Sequence, residues 1–159
     1  MLMEVMFLKQ NMPKPVLVTG FEPFGNHSVN ISGEVAKELD GREIRGHKIQ
    51  SHVLSVDYEG SMLTSHLLDE SSFAAIIHLG LAENAPFPRI ETRAKDILDF
   101  RIPDNSGRQL SDVLIGESNL HCNKSFSKSL NHPQTEHLTL SNDAGTFLCN
   151  KTYYRTLES

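Results

Sequence analysis

Cys149 is the residue best placed for covalent chemistry. A strand-like run over residues 137–141 leads through the turn Asn142-Asp-Ala-Gly145 into a helix from about Thr146 to Leu157, and Cys149 lies at its start. A thiol there meets the positive end of a helix dipole and backbone N–H groups without intrahelical partners, which favour thiolate and lower its pKa. The same N–H groups can hold a developing oxyanion. Free cysteine is also a common apolar filler, so position alone leaves both readings open.

The other polar candidates cluster mid-chain. Glu91 and Arg93 occupy a strand-like stretch, followed by Asp96, Asp99 and Arg101. Such a run serves either as a charged site or as a solvated face with weak surface ion pairs. Phe21 and Phe24 flank Glu22-Pro23 on a loop that Pro23 and Gly25 stiffen; they suit an apolar pocket wall or the lid of the core. Eight histidines are scattered along the chain, none after Cys149. His121, Cys122, His132 and His137 match no standard zinc spacing. Thr19-Gly20 with Gly25 superficially suggests a nucleotide loop, but neither G-x-G-x-x-G nor G-x-x-x-x-G-K-[ST] is present, and Pro23 interrupts any cradle of N–H groups.

The elements that must position these residues alternate. Pro15–Gly20 reads as a buried strand, and Asn30 or Ser32 caps a helix to about Leu39. Lys48–Val56 alternates as a strand. Asp57 caps a helix to about Ser71 with Met62, Leu63, Leu67 and Leu68 on one face. Phe73–Leu81 is an apolar strand, Ile90–Ile97 a further one, and residues 108–136 show no clear period. The β-α-β-α-β order predicts a single three-layer α/β/α domain on a mainly parallel, twisted sheet. In such sheets ligands bind beyond the carboxyl ends of the strands, which selects segments 20–26, 80–91 and 142–149.

Composition narrows the function classes. The 159 residues suit one domain; they are 38% hydrophobic, carry a net charge of −5, and include no Trp. A mildly acidic chain without a basic block is a poor ligand for nucleic acid. The longest purely apolar run, Phe73-Ala-Ala-Ile-Ile77, is far below the roughly 20 residues of a membrane helix. Two cysteines and the lack of a signal-peptide pattern in Met1–Leu8 point to a reducing cytoplasm. Residues 1–14 read as an N-terminal extension and 15–159 as the domain.

Three blocks together resemble the pyroglutamyl-peptidase I (pyrrolidone-carboxylate peptidase) family of cysteine peptidases. They are Val16-Leu-Val-Thr-Gly-Phe-Glu-Pro-Phe-Gly25, then Glu91-x-Arg-Ala with Asp99-Phe-Arg-Ile-Pro-Asp-Asn-x-Gly107, then Ser141-Asn-Asp-Ala-Gly-Thr-Phe-Leu-Cys-Asn150. The resemblance implies removal of an N-terminal pyroglutamate by a Cys-His-Glu triad on an α/β fold, without metal or cofactor. It makes Cys149 the nucleophile and Glu91 the carboxylate that orients the histidine. Arg101 resembles the arginine beside the reacting carbonyl. Phe21, Phe24, Ile102, Phe147 and Leu148 match the apolar pocket for the pyrrolidone ring. The implied substrates are pyroglutamyl peptides; the apolar edge that a shortened sheet leaves uncovered favours a homo-oligomer or another partner, while composition points to no nucleic acid and no membrane. A flat uncharged lactam suits an aromatic-lined pocket, which rejects a charged amino terminus through its desolvation cost.

The resemblance is incomplete. The family's histidine lies further beyond the cysteine than the ten residues that follow Cys149 here. Asn26 stands for a usual glycine, Asp96 for a usual asparagine, and Gly80-Leu-Ala-Glu-Asn-Ala85 for a glycine- and arginine-richer loop. The expectation is a shortened member without the C-terminal strand and helix, its turnover impaired. The alternative is a non-catalytic binding or interaction protein on a degenerate peptidase scaffold. His78, at a strand end, is the in-chain candidate to replace the histidine.

Overall fold

The computed structural model describes residues 13–82, 85, 87–122 and 138–159. Strand β1 (Val16–Phe21) is flanked by two parallel neighbours, β3 (His47–Leu54) and β4 (Ala75–His78), with Val18 level with Ser51 on one side and Ile77 on the other. A short β2 (Glu43–Ile44) adds antiparallel to β3, giving the order β2-β3-β1-β4. Helix α1 (Ile31–Leu39) joins β1 to β3 by way of β2, and α2 (Tyr58–Glu70) joins β3 to β4. The two crossovers run in opposite directions across β1, so their common right-handedness puts the helices on opposite faces.

The packing follows from that. Val18, Ala36 and Ile49 form a buried cluster between the sheet and α1. On the other face Phe21, Leu54 and Val56 pack with Leu98, Phe100 and Leu148. Gly20 and Gly33 set the spacing of the α1 layer. A Cβ on Gly20 would lie 2.1 Å from the Ser32 carbonyl oxygen, and one on Gly33 would lie 2.4 Å from that of Phe21. Only bare backbone at both positions allows this approach.

Both helix starts follow the expected capping. The Asn30 side chain accepts from the Ser32 N–H, and Asp57 Oδ1 accepts from the Gly60 N–H at 2.9 Å. The face of α2 differs from expectation. Its most buried residues are Gly60, Ser61 and Thr64, whereas Met62, Leu63, Leu67 and Leu68 are half-buried. α2 packs against the last helix, α3 (Leu148–Glu158), and at its start Gly60 lets the helix lie close to the Ser55 carbonyl.

The middle strand also differs. Instead of one run over 90–97 there are three short pieces, each with its own partner: β5 (Arg89–Glu91), β6 (Arg93–Ala94) and β7 (Ile97–Leu98). β7 pairs antiparallel with β8 (Val113–Leu114), and β6 with β9 (Leu120–His121). β5 pairs parallel with β10 (Thr139–Ser141) in a ladder separate from the four-stranded sheet. The break after β6 has a cause: the N–H and carbonyl of Lys95 bond to the Asn150 side chain and are lost to any strand neighbour. Of the region without a clear period, β8 and β9 are strands, and residues 123–136 lie outside the described residues. No helix among the described residues is long and apolar enough to cross a membrane.

Candidate active site

Three loops converge on the first turn of α3. The chain after β4 brings Gly80 to Cys149, with a Cβ built on Gly80 only 3.6 Å from that of Cys149. The loop after β1 brings the Phe24 ring to 5.6 Å from that of Phe147. The turn after β10 passes Ala144, whose carbonyl accepts from Cys149 Sγ at 3.8 Å, and bends at Gly145, φ +76°. Phe24, Gly80 and the 142–149 turn thus meet where the strand ends suggest.

Phe147 is the N-cap of α3 and supplies no side-chain hydrogen bond. The N–H groups of Leu148, Cys149 and Asn150 precede the first helical bond, from the Lys151 N–H to the Phe147 carbonyl. The Cys149 thiol nevertheless departs from expectation. Burial pushes its pKa up, outweighing the Asn150 and Cys149 N–H groups that favour thiolate; Glu91 adds to the rise and Arg89 opposes it. Desolvation of this sulfur exceeds what one helix terminus returns.

Glu91 ends β5 near this sulfur. Its Oε1 bonds Arg89 Nε at 2.6 Å, and its Oε2 accepts from the Asp143 N–H at 3.1 Å. Both carboxylate oxygens therefore have partners other than a histidine. The Glu91 carbonyl accepts from Tyr153 Oη at 3.1 Å, which ties β5 to α3. Asp143 is bonded to Lys95 at 2.7 Å, and that lysine together with the Gly145 N–H holds its carboxyl below the usual range despite part-burial. Arg93 and Asp96 face elsewhere: Arg93 Nε donates to the Asn142 carbonyl, and Asp96 Oδ1 accepts from the Gly116 N–H. They line, with Lys95, Ile97 and Leu114, an open concavity of about 410 Å³ that includes neither Cys149 nor Glu91. The groups that three loops bring together lie instead around Cys149.

The expected pocket residues divide in two. Phe21 and Leu148 are 4% and 2% exposed and belong to the core, beneath the site. Phe24, Ile102 and Phe147 are half-buried above them. Phe147 stands between Phe24 and Phe100, 4.7 Å from the latter in an edge-to-face contact. Ile102 Cδ1 comes within 3.0 Å of the position a Cβ on Gly25 would take. Arg101 lies between Phe100 and Ile102; it is exposed, and its carbonyl accepts from Gln109 Nε2.

His78 does not reach Cys149 as a base. Its Nδ1 bonds Thr19 Oγ1 at 2.7 Å and its Nε2 bonds Thr156 Oγ1 at 2.9 Å. Burial pushes its pKa down to about 4. The ring is a neutral strut joining β1, β4 and α3. His132 and His137 lie outside the described residues, and among the described ones no group of His, Cys, Asp and Glu is arranged for a metal ion.

Sequence reasoning overlooked Asn105 and Asn150 and gave Asn30 only a capping role. Asn150 is fully buried and bonds the Lys95 and Ile97 backbone. Asn30 and Asn105 hold carbonyls of the Phe24 loop. Asn105 and Asn150 lie in the motif blocks named above, and that placement was the available signal.

An α/β domain with a cysteine on an uncapped helix start, a carboxylate beside it and an aromatic wall above is the arrangement of a thiol hydrolase. Comparison with known proteins makes this specific. The family model described as pyroglutamyl peptidase matches residues 14–159. The chain is 35% identical over 149 residues to the pyrrolidone-carboxylate peptidase of Pyrococcus furiosus, covering 89% of this chain and 71% of that one. The namesake from Bacillus cereus strain ZK is 37% identical over 147 residues, covering 89% and 68%. The solved pyrrolidone carboxyl peptidase of Thermococcus litoralis superposes with a TM-score of 0.81 at 33% identity, over 91% of this chain and 69% of that one. The chain belongs to the pyroglutamyl peptidase family.

Proposed function

We propose that this chain recognises peptides with an N-terminal pyroglutamate and that Cys149 attacks the carbonyl joining that residue to the next. The single observation that carries this is the coincidence of an uncapped helix start, bearing Cys149, with the Phe24–Phe147 wall. The lactam ring packs on Phe24, Phe147 and Ile102 above the Phe21 and Leu148 floor. The N–H groups of Leu148 and Cys149 receive the oxyanion, with Arg101 beside the reacting carbonyl. The S–C bond forms as the C–N bond breaks, and the thiol proton leaves with the amine. Water then hydrolyses the pyroglutamyl thioester and restores the thiol. Residues 15–159 act as one catalytic domain preceded by an extension, and a cytoplasmic setting keeps the thiol reduced.

A second reading, recognition without turnover, is favoured by one specific observation. Glu91 is engaged by Arg89 and the Asp143 N–H, and burial holds the thiol protonated. A missing general base typically costs about 10²–10⁴-fold in rate.

Hydrolysis of a pyroglutamyl-coumarin amide by this chain and by Cys149→Ala separates the two. Release by the first and none by the second supports the peptidase. Equal inactivity, with 2-pyrrolidone still protecting Cys149 from iodoacetamide, supports recognition alone. No turnover and no protection would sink both.

A further inference from the structure

The loop that carries Phe24 is pinned at three successive carbonyls. The Glu22 carbonyl accepts from Asn30 Nδ2 at 3.0 Å, the Pro23 carbonyl from Asn105 Nδ2 at 3.0 Å, and the Phe24 carbonyl from the His27 N–H at 3.1 Å. The outer two bonds are local. The middle one crosses from a loop 82 residues further along the chain. Proline offers no N–H, so at Pro23 the carbonyl is the only backbone handle.

Asn105 is itself held firmly. Its N–H donates to the Val56 carbonyl at 2.8 Å. It sits in a turn organised by the buried Asp104, whose Oδ1 accepts from the Ser106 N–H, the Ser106 hydroxyl and the Arg108 N–H at 3.0, 2.7 and 2.9 Å. The Gly107 N–H closes the turn on the Asp104 carbonyl at 2.9 Å. Ile102, from the same loop, meets Gly25. The 102–108 loop therefore grips the chain on both sides of Phe24, at Pro23 by a hydrogen bond and at Gly25 by apolar contact.

We propose that Asn105 is a positioning residue that sets the Phe24 ring against Phe147 and so determines how closely a flat five-membered lactam fits between them. This rests on the reading that the Phe24–Phe147 wall takes the ring. The bond acts on the wall alone: Cys149 is held separately, by Gly80 and the Ala144 carbonyl. Loss of the bond frees one side of the loop while Asn30 and His27 keep its ends in place.

The test is a double-mutant cycle with 2-pyrrolidone as the probe. The iodoacetamide rate at Cys149 is followed by mass spectrometry against 2-pyrrolidone concentration in the full chain, Asn105→Ala, Phe24→Ala and the double variant. Asn105→Ala is expected to weaken protection about two- to tenfold, the range of one hydrogen bond. It should leave the unprotected alkylation rate unchanged, lower the thermal midpoint by no more than the few degrees one hydrogen bond is worth, and add nothing in the Phe24→Ala background. Equal protection in the full chain and Asn105→Ala overturns the proposal and leaves the pocket reading standing. The same weakening on top of Phe24→Ala, or a joint change in alkylation rate and thermal midpoint, also overturns it. No protection even in the unaltered chain overturns the pocket reading and the proposal with it.

Discussion

Asn150 and Lys95 form a two-way amide clamp: Lys95 N–H donates to Asn150 Oδ1 at 2.8 Å, and Asn150 Nδ2 donates to the Lys95 carbonyl at 2.9 Å. A further bond reaches the Ile97 carbonyl at 3.2 Å. The asparagine beside the thiol thus substitutes for a missing strand neighbour, ends β6, and fixes the rotation of the first turn of α3.

Asn150→Ala is expected to destabilise the fold by roughly 2–4 kcal/mol, because three part-buried backbone groups lose their partner at once. Urea unfolding followed by circular dichroism reads this. Asn150→Asp should be similarly costly, since a carboxylate faces two carbonyls where the amide donated. A loss below about 0.5 kcal/mol for the alanine variant, the usual size for an unimportant surface site, contradicts the clamp.

The thiol prediction concerns direction. In a Cys122→Ser background, the alkylation rate of Cys149 should rise with a midpoint above about 8.5, the value for an unperturbed thiol. Glu91→Gln should lower that midpoint and Arg89→Ala should raise it, following the signs of their charges at the sulfur. A midpoint near neutrality overturns the dominance of burial.

His78 makes stability pH-dependent. Its pKa falls from 6.5 in the unfolded chain to about 4 in the fold. Between those values the unfolded state binds more protons, so the neutral-ring contribution is complete above pH 6.5 and is lost as pH falls to about 4. Its size is roughly 3–4 kcal/mol at most, because each tenfold change in proton affinity is worth about 1.4 kcal/mol. Urea midpoints measured across that window should slope less steeply in His78→Gln. An unchanged slope assigns the acid sensitivity elsewhere. Below pH 4 the carboxylates take over: Asp57 is held low by the Gly60 N–H and Ser55, and Asp104, against its own burial, by Ser106 and Arg108.

Much of the scaffold was legible because local chemistry decides it. Asn30 and Asp57 cap their helices as their side chains dictate, and β1 ends in the Phe-Glu-Pro-Phe-Gly loop because Pro23 and Gly25 admit neither strand nor helix. The site was less legible. Cys149 stands far along the chain from Glu91 and Arg101, and it was the resemblance of whole motif blocks that grouped the three. The division of the middle strand was hidden because an amphipathic pattern shows which face is apolar, not which neighbour will supply each backbone hydrogen bond.

By itself, then, the sequence determined the order of the first alternating elements, the caps and the family. These depend on side chains acting within a few residues, or on motifs that survive as strings. Only the tertiary structure decided the state of the groups in the site. Burial overrules the helix terminus at Cys149, Thr19 and Thr156 occupy both nitrogens of His78, and Phe21 and Leu148 sink into the core while Phe24, Phe147 and Ile102 stay half-buried. Desolvation and partner choice are properties of the three-dimensional surroundings, and spacing along the chain does not encode their balance.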